Sequence, residues 1–324
     1  MKRIVWIVAS AFLTGVFTMT LVAQDSTPPP PKSFTFGKFS VPGAVVLGVE
    51  SINNTNSIAG YYMDAAGNYR GFVRSPSRVL TTFTDPGDTQ PISFTQGYQI
   101  NAEGVVTGQF FDSATNNYSG FFYNTGAQTY TTYDVTDQPT GTITAVLGIN
   151  STGSQFCGYV TPPPYTVVSA FVNVDGVVTI YAVNSSTHTV CRGINQNGFT
   201  VGYYNDASGV SHGYIRSVRG NVTVIDYPDA STTVASLPCG GTGGGTVLSG
   251  TSDRGDVSGY YLDASHNEHG FSRSGGGIFQ PIDYPGAFQT AGGGTNDNGT
   301  VVGSYLDSTC TPSGFIAYRP AGGH

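Results

Sequence analysis

Five aspartates recur at matched places along the chain, and repeated carboxylates are the first residues to test for chemistry. Each closes a Gly-x-Tyr-x-Asp motif: Gly60 to Asp64, Gly108 to Asp112 with Phe110 in the tyrosine place, Gly202 to Asp206, Gly259 to Asp263, and Gly303 to Asp307. Carboxylates repeated round a ring could bind calcium or move protons. Calcium, however, takes roughly six to eight oxygen ligands, usually from several acidic positions in one loop. Each motif here supplies one aspartate and then small turn residues, such as Ala65-Ala66-Gly67 or Ala207-Ser208-Gly209. The expected role is therefore a capped β-turn, with the carboxylate accepting backbone N–H bonds.

Asn296-Asp297-Asn298-Gly299 has the look of a calcium loop, but the further oxygen ligands and terminal glutamate of an EF-hand are missing, and Asn-Gly suffices as a hairpin turn. His266 and His269 flank Glu268 at a spacing that would suit one metal on a helix; on a strand it sends them apart. No metal or cofactor is expected. There is no Gly-x-Ser-x-Gly elbow, phosphate loop or local Ser/His/Asp set, so no catalytic residue is assigned. The polar residues least constrained by the repeat are His188, whose unit has lost a Tyr-Pro motif, with Arg192 and Glu103 at turn positions. These three are the candidate binding residues. The paired aromatics, Tyr61 with Tyr62, Phe110 with Phe111, Tyr203 with Tyr204 and Tyr260 with Tyr261, together with Tyr305, could stack on sugars if one member of each pair faced out, but are expected to pack between repeat units.

The elements that position these residues follow from the repeat. A second aromatic trails each motif glycine by about twelve residues, at Phe72, Phe121, Tyr214, Phe271 and Phe315, and a degenerate copy runs from Gly158-Tyr159-Val160 to Phe171. Aligned on Asn53, Asn101, Asn150, Asn195, Ser252 and Asn296, the units are spaced by 48, 49, 45, 57 and 44 residues. Blade repeats run to roughly 40 to 50 residues. Four short β segments can be read in each unit, bounded by Pro-Gly and Asn-Gly turns, and no convincing helix lies beyond the N-terminal segment. The fold class is all-β, a six-bladed β-propeller of four-stranded antiparallel blades. Phe34 to Val41 is an extra first segment, so the ring would close by pairing it with the blade of residues 294 to 318. A linear β-solenoid is the competing architecture, with shorter and stricter rungs. The long spacing comes from a glycine-rich insertion, Leu237 to Gly245, expected to be a flexible surface loop.

In this wording the repeat resembles the bacterial extracellular HAF repeats, whose units carry a Gly-Ile-Asn-x-x-Gly-x-Val-Val-Gly core and a later aromatic. The core appears as Gly148-Ile149-Asn150-Ser151-Thr152-Gly153, as Gly193 to Gly198, and as Gly294 to Gly299 with Val301-Val302-Gly303. Ser252-Asp253 departs from it in the fifth unit, and the third lacks the motif aspartate. The resemblance covers about residues 33 to 320 and implies export and architecture, not a reaction.

Residues 1 to 23 read as a secretory signal peptide, with Lys2-Arg3 before an uncharged apolar run and Leu21-Val22-Ala23 as cleavage site; a retained membrane anchor is the alternative. Residues 24 to 32 form a Pro-rich spacer, 33 to 320 the propeller and 321 to 324 a tail. Without the leader the chain carries 11 basic and 20 acidic residues, which argues against nucleic acid as a partner. Cys157, Cys191, Cys239 and Cys310 allow two disulfides in three connectivities; Cys157 with Cys191 and Cys239 with Cys310 is preferred because each pair falls in successive units. The expected protein is a monomer, secreted, periplasmic or on the cell surface, and without a membrane span once the leader is removed. It would act as a binding module for a glycan or a cell-surface protein. The rival is a polysaccharide lyase or glycoside hydrolase with its site at the axial mouth; a third reading is a structural surface protein that displays a rigid disc. Where the repeat fails, at Thr161 to Pro164, near Cys239 and at His188, is where a localised function is expected.

Overall fold

The structure, a computed structural model, describes residues 33 to 320, and the expected leader, spacer and tail lie outside them. The described residues form six four-stranded antiparallel sheets and no helix. Blade 1 comprises Ala44–Ile52, Ile58–Asp64, Tyr69–Arg74 and Leu80–Phe83, from axis to rim; blade 2, Thr95–Ile100, Val105–Asp112, Asn117–Asn124 and Thr129–Tyr133. Blade 3 is built from Ile143–Ile149, Gln155–Thr161, Ser169–Val174 and Val177–Tyr181, and blade 4 from Thr189–Ile194, Thr200–Asn205, Ser211–Arg216 and Val222–Ile225. Blade 5 is Thr246–Thr251, Val257–Leu262, Glu268–Arg273 and Phe279–Pro281; blade 6 is Gln289–Thr295, Val301–Leu306 and Pro312–Tyr318, completed by Thr35–Phe39. The innermost strand of each blade contacts those of its neighbours all the way round, so the sheets close into a six-bladed propeller.

Ring closure is made by the first strand, which pairs with the last in register from Thr35 opposite Tyr318 to Phe39 opposite Gly314. An uncovered edge strand would present unpaired N–H and C=O groups, and here the chain's own start fills that place.

The repeat maps onto this architecture residue by residue. The motif glycine opens the middle of each second strand: a Cβ at Gly202 would collide with the Val190 carbonyl oxygen of the innermost strand, and one at Gly259 with that of Val247. The trailing aromatics Phe72, Phe121, Phe171, Tyr214, Phe271 and Phe315 are all completely buried and fill the spaces between sheets. The central motif residues Tyr62, Phe110, Tyr204 and Tyr261 are buried with them. Their neighbours Tyr61, Tyr203 and Tyr260, with Tyr159 at the same place in blade 3, are half-buried and face the axis instead, because strand alternation sends adjacent side chains to opposite faces. The expectation that the whole aromatic stripe packs between blades is corrected to that extent.

Two disulfides tie the ring. Cys157–Cys191 joins blades 3 and 4 across their buried interface, and Cys239–Cys310 tethers the insertion to blade 6. The insertion is thus more than a flexible loop, since it also folds a two-residue hairpin, Ala235–Ser236 with Thr242–Gly243.

Candidate binding site at the axial mouth

The motif aspartates are turn residues. Asp64 Oδ1 accepts the backbone N–H groups of Ala66 and Asn68, at 2.9 and 3.0 Å. Asp206 does the same for Ser208 and Val210, Asp263 for Ser265 and Asn267, and Asp307 for Thr309 and Thr311. These bonds hold the carboxyls of Asp64, Asp206 and Asp307 below their usual range, side-chain bonds from Asn68 and Thr309 leading at Asp64 and Asp307. In blades 4 and 5 the second oxygen meets a histidine. His212 lies 3.6 Å from Asp206 and 2.8 Å from Asp226; His269 lies 3.4 Å from Asp263 and 3.0 Å from Asp283. Each ring also stacks on a tyrosine, Tyr204 or Tyr261. Sequence reasoning missed these Asp-His-Asp clusters, although the pairs His212/Asp226 and His269/Asp283 share a separation of 14 and fall in the two units with Asp-Tyr-Pro. His266 bonds instead towards Ser231 and Thr233, so it and His269 serve different places.

The axial channel is closed at one end. There the turns after the innermost strands reach across to one another: Asn53 Nδ2 donates to the Asn101 carbonyl at 2.8 Å, Asn195 to that of Ser252 at 3.0 Å and Asn296 to that of Asn53 at 3.1 Å. Asp297 accepts from the Asp253 amide and the Asn54 side chain, and Asp253 from the Gln196 amide. A space of about 40 Å³ remains between these groups.

The opposite end is open, and its shape comes from a bulge in every innermost strand. The pairing register slips between Val49 and Ser51, Gly97 and Ile100, Val146 and Gly148, Cys191 and Gly193, Leu248 and Gly250, and Gly292 and Thr295. A bulge adds a residue and re-aims its side chain. The matching places hold Glu50, Tyr98, Leu147, Arg192, Ser249 and Gly293, different in every blade, whereas the position two residues on is always isoleucine or threonine. That variation is the signal by which Glu50 and Tyr98 could have been singled out. Arg192, expected at a turn, is therefore corrected to an innermost-strand residue.

Arg192 and Glu50 form an ion pair across the axis, from blade 4 to the opposite blade 1, with side chains 19% and 13% exposed. Burial draws the guanidinium down, and the facing carboxylate, with the axial tyrosines, more than restores it, so Arg192 stays charged. Around the pair, burial raises the hydroxyls of Tyr61, Tyr98, Tyr203 and Tyr260, and pushes Tyr159 up to about 12.

Beside the pair, between blades 2, 3 and 4, lies a cavity of about 440 Å³. Phe94, Tyr98, Tyr118, Tyr159 and Tyr203 wall it, with Gln109, Thr161, His188 and Arg192 as polar groups. Gln109 Oε1 accepts from the Tyr159 hydroxyl at 3.2 Å, and His188 Nε2 sits 3.5 Å from the Tyr203 hydroxyl. Burial lowers His188, which leaves the ring neutral at pH 7. The structure thus brings His188 and Arg192 together and leaves Glu103 exposed in a turn at the closed end.

No protein-family model matches the chain, and a search of curated proteins returns no match. Solved structures do resemble it. The chain is similar to a mutant of the Aleuria aurantia lectin in complex with Fucα1-6GlcNAc, with a TM-score of 0.52 and 12% identity over 89% of this chain and 95% of that one. It is also similar to a mutant of AofleA from Arthrobotrys oligospora, with a TM-score of 0.50 and 11% identity over 88% and 86%. TolB from Acinetobacter baumannii gives 0.50 and 10% identity over 81% of this chain and 64% of that one. At such identities what is shared is the fold, and the likeness is one of propeller architecture.

Proposed function

We propose that this is an exported glycan-binding module whose site is the aromatic cavity at the open axial mouth. The observation that carries the reading is the wall of the 440 Å³ space: four tyrosines and a phenylalanine, interrupted by an amide, a neutral histidine and a charge-balanced arginine. Aromatic faces cover the C–H faces of a sugar ring, and hydroxyl, amide and imidazole groups bond its edge. Since Glu50 balances Arg192, nothing in the wall selects an anion, and the expected ligand is a neutral saccharide. Two disulfides support export, because such bonds persist in oxidising compartments. A lectin solved with a fucosylated disaccharide shares the architecture, which supports the class without identifying the sugar.

The test is a neutral-glycan array probed with wild type and Tyr203→Ala, run beside an assay for newly released reducing ends. Wild type should bind a subset of glycans, and Tyr203→Ala should weaken them about ten-fold or more, the scale of one lost aromatic and hydrogen-bonding contact. Binding insensitive to Tyr203→Ala would move the site elsewhere. Glycan cleavage would replace the binding module by the enzyme reading.

A further inference from the structure

The mouth has a second cavity, of about 280 Å³, between blades 5, 6 and 1, and it shares no lining residue with the first. Two polar side chains enter it without being consumed by the fold. Gln289 is 5% exposed, and its Nε2 is buried with no hydrogen-bond partner among the described residues. Glu268 lines the same space from the start of the third strand of blade 5. Matching positions in blades 1, 2, 4 and 6 hold Tyr69, Tyr118, Ser211 and Pro312, so an acid here is peculiar to this blade among those four. The remaining wall is mostly apolar, with Val46, Leu47, Leu306 and Pro312, and it is bounded by the Cys239–Cys310 disulfide.

We infer that this cavity is a second saccharide site, sized for one neutral sugar ring, with Gln289 donating to a ring hydroxyl and Glu268 bonding its neighbour. A buried amide donor without a partner costs free energy unless a ligand acceptor meets it. Burial pushes the Glu268 carboxyl up to about 7, offset in part by the charge of His269, so near neutrality the acid can donate as well as accept. The volume lies just under the roughly 300 to 1,000 Å³ usual for small-molecule sites, which fits one ring and not a chain. The sugar class rests on the glycan reading of the axial cavity; the site itself does not. Two sites on one mouth would let a branched or multivalent glycan engage both, raising avidity without new contacts.

The experiment is ligand-observed NMR on the exported chain with a panel of neutral monosaccharides: D-glucose, D-galactose, D-mannose and L-fucose. Gln289→Leu, Glu268→Ala and the cavity-filling Ala291→Leu should each weaken one binding event by about ten-fold or more and leave the event lost in Tyr203→Ala intact. Glu268→Gln, which keeps a neutral donor and acceptor, should hold within about three-fold, a rescue that a merely structural glutamate would not require. Circular dichroism and thermal unfolding certify each variant as folded, and Ala291→Leu tests the cavity without touching either polar group. Saccharide binding that responds to Tyr203→Ala and ignores all three other variants overturns this inference and leaves the axial site standing. Binding that responds to Gln289→Leu, Glu268→Ala and Ala291→Leu but ignores Tyr203→Ala supports it and overturns the axial site. No binding by any sugar in the panel overturns both.

Discussion

At the scale of single residues, the repeated aspartates show how a carboxylate is consumed by local structure. Each bonds the N–H groups two and, in most units, four residues on, and in blade 5 the remaining oxygen holds His269. Burial works against the charge on His269, but the bonds and charges of Asp283 and Asp263 outweigh it, and the imidazole lies above its ordinary value. Asp263 lies below its own: burial raises it, and bonds from Asn267, Ser265 and His269 more than compensate. The signs set a window. A raised histidine stabilises fully below its unfolded value of about 6.5 and loses the contribution as pH climbs through the folded value. A lowered aspartate stabilises above about 3.9 and loses it as pH falls through the folded value. Both contributions coexist from about pH 4 to about pH 6.5, so His269→Gln should cost about 0.5 to 1 kcal/mol in urea unfolding at pH 5.5 and close to nothing at pH 9. An equal cost at the two pH values would show that His269 acts by packing on Tyr261 and not by charge.

At the scale of elements, stability rests on how neighbouring blades are joined. Cys157–Cys191 spans 34 residues and links the second strand of blade 3 to the innermost strand of blade 4, both cysteines fully buried. Closing a loop of that length constrains the unfolded chain, so Cys157→Ala with Cys191→Ala should lose about 2 to 4 kcal/mol, measured by denaturant midpoint without reductant. The closing strand carries a different load. Removing residues 33 to 40 strips Phe34, Phe36 and Phe39 from the last blade and bares the edge of Pro312–Tyr318. Aggregation on size exclusion, with a thermal midpoint lower by several degrees, is expected from an exposed edge of that kind. A monomeric product with unchanged melting would mean that the ring does not need its velcro strand. Most of this was legible beforehand, since Asn-Gly turns, motif glycines and the surplus first segment are local signals of strand ends and closure. The bulges were not, because the extra residue is set by how each strand bends round the axis and leaves no turn signature. That is why Arg192 read as a turn residue.

At the scale of the whole molecule, the axial ion pair is a contact that only ring closure can make. Glu50 and Arg192 stand 142 residues apart and meet because blades 1 and 4 face each other across six. Neither residue repeats, so the sequence marks each as an exception in its own blade without marking the two as partners, and the tyrosine collar around them is drawn from blades 1 to 5. Two charges with 13% and 19% side-chain exposure are costly to desolvate, and their attraction roughly repays that cost while both are present. Removing one leaves the other uncompensated. Glu50→Gln alone should therefore destabilise by about 3 to 5 kcal/mol, whereas Glu50→Leu with Arg192→Met should fall within about 2 kcal/mol of wild type. A double-mutant cycle in guanidinium, completed with Glu50→Leu and Arg192→Met singly, measures the difference. Additive losses would deny the pair any coupling energy. A large coupling keeps the mouth electrically neutral, and Glu50→Gln should then shift glycan-array binding towards uronic and sialic acids, because the arginine it frees lines the cavity where the sugar is proposed to sit.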